Sequence, residues 1–394
     1  MSIRTGQKET AIPGRPLWAL ILLAILINAA HAGSKVALPL FAIQLGASTF
    51  TVGVLMAAFA LVPALFALRI GRILDRVGPR RPMIISAIGV AAGLCAAFVM
   101  PGLPTLFASS VMIGTFGGLF FMAHTQAIGK LSSPENRTAV LSMSAVGYSA
   151  SSFIGPMVAG AAIDGVGHAV ALLLLASGPA AALVALQFRL LPLAITAHPG
   201  GSSPARGKVI DFFRDRVMRQ VYVTGILSTT AWECLNLMVP IYGHSIGLSA
   251  TSIGIILGSF AVGTFAIRMA LPVLARRLSA WRLLGVAFSL CGTGYALVPF
   301  TTSAVVLVAL AFGIGLGLGI SQPMVTSIMF ETAPPNRIGE ALGLRTALVN
   351  VGQTTFPLAL GGLGTLLGIA PVFWGVAAIM AVGVYTTQRL TTKN

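Results

Sequence analysis

The sequence predicts an all-α membrane protein of twelve transmembrane helices, arranged as two six-helix, pseudo-symmetric halves. Three observations predict it. Mean hydropathy is +0.92 and only 9% of the 394 residues are charged, whereas soluble domains carry about 25%. About twelve apolar stretches reach the ~20 residues that a helix needs to cross ~30 Å of hydrocarbon. Finally, 23 of the 25 Lys and Arg residues fall in segments that one alternating topology puts on the same face. The loops assigned to the other face (44–50, 101–104, 164–168, 244–249, 299–303 and 364–370) have none. Cationic segments resist translocation, so the basic face is expected to be cytoplasmic. That places both termini in the cytoplasm and the chain in the cytoplasmic (inner) membrane. The same bias absorbs the net charge of +16, so the expected partner is the lipid bilayer and not nucleic acid.

The spans are read at 17–43, 50–70, 83–100, 105–129, 138–163 and 168–189, then at 219–243, 249–271, 283–300, 303–330, 338–363 and 369–388. Continuous apolar runs of this length mean helices, because backbone polar groups in hydrocarbon must be satisfied within the segment. Barrel strands would be shorter and would alternate. The organisation follows: a cytoplasmic tail (1–16), an N-terminal half (17–189), a linker (190–218), a C-terminal half (219–388) and a short cytoplasmic tail (389–394). The linker holds a Pro-Gly-Gly-Ser-Ser-Pro stretch (199–204) and a charged segment (208–219) that is either plain linker or a surface helix. The run Leu17–Ile27 followed by Ala30-His31-Ala32 resembles a signal peptide with its cleavage site. It is read as a retained first span. Pro134-Glu135-Asn136-Arg137 matches Pro334-Pro335-Asn336-Arg337 at an offset of 200, and Arg76 matches Arg276 at the same offset. Two related halves explain both. Cys95, Cys234 and Cys291 lie in apolar stretches without metal spacing and read as small buried hydrophobes. No metal or cofactor is expected.

Gly71-Arg72-Ile73-Leu74-Asp75-Arg76-Val77-Gly78-Pro79-Arg80-Arg81 follows the second span. It resembles the G-x-L-x-D-R-x-G-R-[KR] loop signature of the major facilitator superfamily through Gly71, Asp75, Arg76, Gly78, Arg80 and Arg81. The resemblance implies the fold of that superfamily and a conformational latch, in which Asp75 accepts from guanidinium groups or a helix N-terminus. The equivalent loop of the second half, from Arg268 to Arg282, has no acid or glycine between its ends, so the latch is expected to be asymmetric. In the fifth span, Gly147 to Gly160 resembles the superfamily's G-x-x-x-G-P-x-x-G-G antiporter motif. Gly155, Pro156 and Gly160 match; Ser151 and Ala159 replace glycines. The proline bends the helix and the small residues admit a close neighbour. In the family this motif marks exporters that exchange substrate for protons. One departure counts against the usual proton relay: the arginine common in the fourth span of the family's drug:proton antiporters is Ser110 here, four residues before Gly114.

Charged groups at bilayer depth are costly and face a cavity or a partner. Asn28, His31 and Lys35 share one face of the first span, and Glu233 and Asn236 one face of the seventh. Glu233, with Lys35 and His31, is the expected proton-coupling group, its protonation set by burial against the charge of Lys35. A structural Lys35–Glu233 pair is the alternative. The substrate cavity is expected to include Asn28, His31, Lys35, Trp232, Glu233, Asn236, Arg345, Asn350, Gln353 and Tyr148. Phe120, Phe121, Met238 and Phe356 are possible apolar lining, and His124 and Gln126 are weaker candidates. Arg345 reads as an anion-binding group, as a partner of Glu331 or Glu340, or as a residue snorkelling to the basic face.

No P-loop, HExxH or nucleophile–base arrangement is present in the sequence, so no catalytic residue and no enzyme is expected. The reading is a monomeric secondary transporter that moves a small organic molecule by alternating access, through proton-coupled efflux. Uptake or exchange of an organic anion is the alternative within the fold. A receptor or scaffold that has lost transport is the alternative outside it.

Overall fold

The computed structural model describes residues 14–131, 137–188, 214–333 and 338–391. Within its helices, the side chains of some stretches, 66–76 among them, lie outside the described residues. So do most of the expected linker and the Pro134–Arg137 and Pro334–Arg337 repeat. The helices in chain order are α1 (Gly14–Gln44), α2 (Thr49–Val77), α3 (Arg80–Val99), α4 (Leu103–Leu131), α5 (Arg137–Val166) and α6 (His168–Gln187), then α7 (Arg216–Ser245), α8 (Ala250–Leu274), α9 (Ala280–Leu297), α10 (Ala304–Thr332), α11 (Ile338–Leu367) and α12 (Ile369–Thr391). Each covers one expected span, displaced by a few residues at the ends. Among the described residues, nine of these helices are long and apolar enough to cross a membrane, and Thr49–Pro63 of α2 is a shorter apolar helix. The chain is an integral membrane protein. Of the remaining helices, α7 and α11 carry polar residues at mid-length, including Glu233, Asn236, Asn350 and Gln353.

The two halves repeat one packing scheme. In the first, α1 packs on α4, α5 and α6, while α3 packs on α4 and α6. In the second, α7 packs on α10, α11 and α12, while α9 packs on α10 and α12. The repeat extends to single residues 201 positions apart. Pro39 and Pro240 lie inside α1 and α7, and Pro156 and Pro357 inside α5 and α11. Gly46 and Gly247, with φ of 82° and 76°, close α1 and α7. Glycine takes this left-handed conformation without the Cβ clash that other residues meet. It lets the next amides turn back onto the helix end: Ala47 N–H donates to Ala42 O and Leu248 N–H to Gly243 O, both at 2.9 Å.

The halves meet along two seams related by the same offset, α5 against α8 and α2 against α11. Gly254 of α8 sits on the carbonyl of Pro156, and Gly53 of α2 on the carbonyl of Pro357. Gly160 sits on the carbonyl of Ala250, and Gly361 on that of Thr49. A Cβ at any of these glycines would collide with backbone, which is why the seams need them. Each seam also carries one polar clasp. Asp164 accepts from the Ala250 and Thr251 amides at 3.0 and 2.7 Å. Thr365, its counterpart 201 positions later, accepts from the Phe50 amide at 2.9 Å. These contacts all lie near the helix ends opposite the basic loops. That face is closed, and the bundle interior faces the basic side.

Candidate functional site

A cavity lies between the halves at mid-depth. Its two lobes, about 440 and 410 Å³, share Asn28, His31, Lys35, Phe121, Tyr148 and Gln353. The first lobe adds Glu233 from α7 and Thr346 and Asn350 from α11. The second adds Trp232 and Asn236 from α7 and Arg268 from α8. The i, i+3, i+7 spacing of Asn28, His31 and Lys35 brings three polar side chains of α1 to one wall. Phe121 is 54% exposed although it lines both lobes, in keeping with an opening towards the basic face.

Glu233 is 3% exposed, and its Oε1 has no hydrogen-bond partner. Lys35 lies within Coulombic range of Glu233 and His31. No ion pair joins Lys35 and Glu233 among the described residues, so the two do not form a closed structural pair. The Lys35 Nζ stands 6.0 Å from the centre of the Phe59 ring. His31 packs edge-on to the same ring with centroids 5.8 Å apart, and its Nδ1 has no hydrogen-bond partner. A side chain at Gly117 would strike that nitrogen, so the glycine makes room for the imidazole.

Nine of the ten residues expected at the cavity line these two lobes. Arg345 is not among them. Its guanidinium donates to Gln322 on α10, while Glu331 accepts from Ser327. Arg345 is near the start of α11, and a neighbouring amide meets it before it can reach the cavity. Met238 is fully buried and Phe356 packs against the core, so both are packing and not lining. Arg268, counted in the sequence as a loop cation, instead lies inside α8 and half-buried in the second lobe. It falls within the expected span 249–271, near the end where the sequence turns from apolar to basic.

Of the loop expected to act as a latch, Gly78 adopts φ 72° and Arg80 donates to the Leu186 carbonyl at 2.7 Å. That bond ties the loop to α6 of the same half. Arg81 is exposed. The side chains of Gly71, Asp75 and Arg76 lie outside the described residues. In α5, Gly155 sits against the backbone of Ala29 and Gly33 on α1, Gly160 against α8, and Pro156 faces the second lobe. The antiporter-like stretch therefore touches the cavity and a seam at once. The clasps at Asp164 and Thr365 were missed. The signal that could have found them is the 201-residue recurrence of Pro156/Pro357, Gly160/Gly361 and Gly167/Gly368.

A duplicated helical bundle around a polar cavity between its halves is the architecture of membrane transporters. The sequence model of the Major Facilitator Superfamily matches residues 20–352 and 221–391; the chain belongs to this family. It is similar to the multidrug efflux pump LfrA of Mycolicibacterium smegmatis, 27% identical over 76% of this chain and 54% of that protein. It is also similar to the staphylopine export protein of Staphylococcus aureus, 30% identical over 36% of each chain. The chain thus matches about half the length of the first relative and about a third of the second. Among solved structures, it resembles a POT family transporter bound to a thioalcohol-conjugated peptide (TM-score 0.80, 16% identity, 96% of both chains). It also resembles the nucleoside transporter NupG (TM-score 0.78, 13% identity, 95% of this chain and 98% of that one). At these identities the likeness is one of fold.

Proposed function

We propose that this protein is a proton-coupled exporter of a small organic molecule in the cytoplasmic membrane, with both termini in the cytoplasm. The observation that carries the reading is Glu233, a buried carboxylate with an unpartnered oxygen in the wall of the central cavity. A carboxylate so placed is poised to take either a proton or a donor group of the substrate. Lys35 in the same wall provides a fixed charge against which the exchange is balanced. The antiporter-like stretch in α5 and the two export proteins among the relatives support the outward direction. The organic-anion reading leaned on Lys35, Arg345 and His31; Arg345 is bonded to Gln322, while Lys35 and His31 line both lobes.

Alternating access follows from the seams. In the state described, the clasped face is shut and the cavity faces the basic loops. Breaking the α5–α8 and α2–α11 contacts while the opposite ends close would turn the cavity outward. The test is transport in inside-out membrane vesicles with a panel of fluorescent amines, acids and neutral dyes. Imposing an acid-inside pH gradient is expected to drive uptake of at least one probe, and collapsing the gradient to abolish it. Uptake that ignores the gradient for every probe would refute proton coupling.

A further inference from the structure

Several polar side chains of the cavity wall direct hydrogen atoms to partners within the protein, which leaves acceptor oxygens in the lining beside the cations Lys35 and Arg268. His124 is buried behind Tyr148. Its Nε2 is 3.2 Å from the Leu20 carbonyl, which can only accept, so Nε2 carries the proton of the neutral imidazole. Nδ1 is then an acceptor, and it lies 3.1 Å from the Tyr148 hydroxyl. The phenolic proton points at His124, and the Tyr148 oxygen turns lone pairs to the cavity. Asn28 is fixed in the same way. Ser151 uses its single proton on the Tyr148 carbonyl at 2.8 Å, so Asn28 Nδ2 must donate to Ser151 Oγ at 2.7 Å. Asn236 donates one Nδ2 hydrogen to the Trp232 carbonyl at 2.9 Å. Both asparagines are left with carbonyl oxygens in the lining. Glu233 adds a carboxylate to the first lobe, its Oε1 buried and without a donor.

We infer that the cavity selects a substrate bearing a protonated nitrogen with several N–H bonds, a primary ammonium or a guanidinium, over a quaternary cation of equal charge. The inference rests on the exporter reading and names its substrate class. Three helices each present acceptors, and a nitrogen with three N–H groups can satisfy several at once. A trimethylated nitrogen of equal charge satisfies none. The charge count agrees with the exchange: Lys35 beside protonated Glu233 carries the same net charge as Lys35 beside ionised Glu233 with a bound monocation. His124 is a positioning residue here, acting through Tyr148.

The test is equilibrium binding to the purified full-length protein at one fixed pH, read by quenching of tryptophan fluorescence; Trp232 lines the second lobe. The probes are naphthylethylammonium and its N-trimethyl analogue. Loss of even one charge-assisted hydrogen bond is worth about tenfold in affinity, so the primary amine is expected to bind at least ~10-fold tighter than the trimethyl analogue. Tyr148→Phe should weaken the primary amine several-fold and leave the trimethyl probe unchanged; Asn28→Leu provides the same comparison at a second acceptor. The inference is overturned if the trimethyl probe binds as well as the amine, if neither probe binds, or if both variants leave the preference intact. Because no gradient is applied, the preference can hold while pH-driven transport fails, which would overturn the exporter reading alone. Transport driven by pH without the preference would overturn this inference alone.

Discussion

Replacing Asp164 by Ala removes the polar clasp of the α5–α8 seam while leaving the glycine contacts in place. The carboxylate holds two backbone amides, of Ala250 and Thr251, at 3.0 and 2.7 Å. These are the first amides of α8, where the helix dipole favours an anion. Asp164 is exposed at the membrane surface, so each bond is screened, and the pair contributes about 1–2 kcal/mol. At about 1.4 kcal/mol, the ratio of the closed to the open form of this face falls about tenfold. Asp164→Asn keeps one neutral acceptor and loses the charge, for a shift of roughly two- to fivefold. Thr365→Val deletes the single neutral bond to Phe50, with an expected shift of about fivefold. The assay is a spin-label distance between Val166 and Leu366, exposed ends of α5 and α11 on the clasped face. Asp164→Ala should add a longer-distance population, larger than that of Asp164→Asn. An unchanged or shortened distribution would refute the argument that this clasp holds the face shut.

Other expectations follow from the same contacts. Gly254→Val and Gly53→Val put a side chain into the carbonyls of Pro156 and Pro357, so each should lengthen the Val166–Leu366 distance more than Asp164→Ala does. Gly114→Ala places a methyl in the backbone of Phe59, within one half; it should destabilise the fold by about 1–3 kcal/mol, seen as a lower Tm, without selecting a conformation. Arg268→Gln should change the KM for a transported probe more than Arg345→Gln does, since Arg268 lines the cavity and Arg345 is engaged by Gln322. Equal effects of the two on KM would place Arg345 in the binding wall after all.

The helices were legible in the sequence because apolar runs of spanning length bounded by cations leave little freedom for another structure. Glu233, Asn236, Asn28 and Lys35 were legible for a related reason: polar groups deep in a membrane segment need a polar surface to face. What sequence alone could not give is which neighbour a side chain meets. Arg345 lies within a span, in its first third, and Gln322, 23 positions away, meets it there. Asp164 reads as an ordinary loop acid at the end of a span, and its role depends on α8 from the other half arriving with its first amides free. The recurrence of Gly53/Gly254 and Gly160/Gly361 was present in the sequence. Only the seams give those pairs a reason, because single glycines are common in membrane helices and their facing backbones are not visible along the chain.

Glu233→Gln in reconstituted vesicles tests the central claim most directly. Gln keeps the size and an acceptor oxygen but cannot exchange a proton. Two modes should be measured for the same transported amine: substrate-for-substrate counterflow without a gradient, and accumulation driven by a pH gradient. The account predicts that counterflow persists while gradient-driven accumulation is lost. Accumulation that continues at the wild-type level in the Glu233→Gln protein would contradict it.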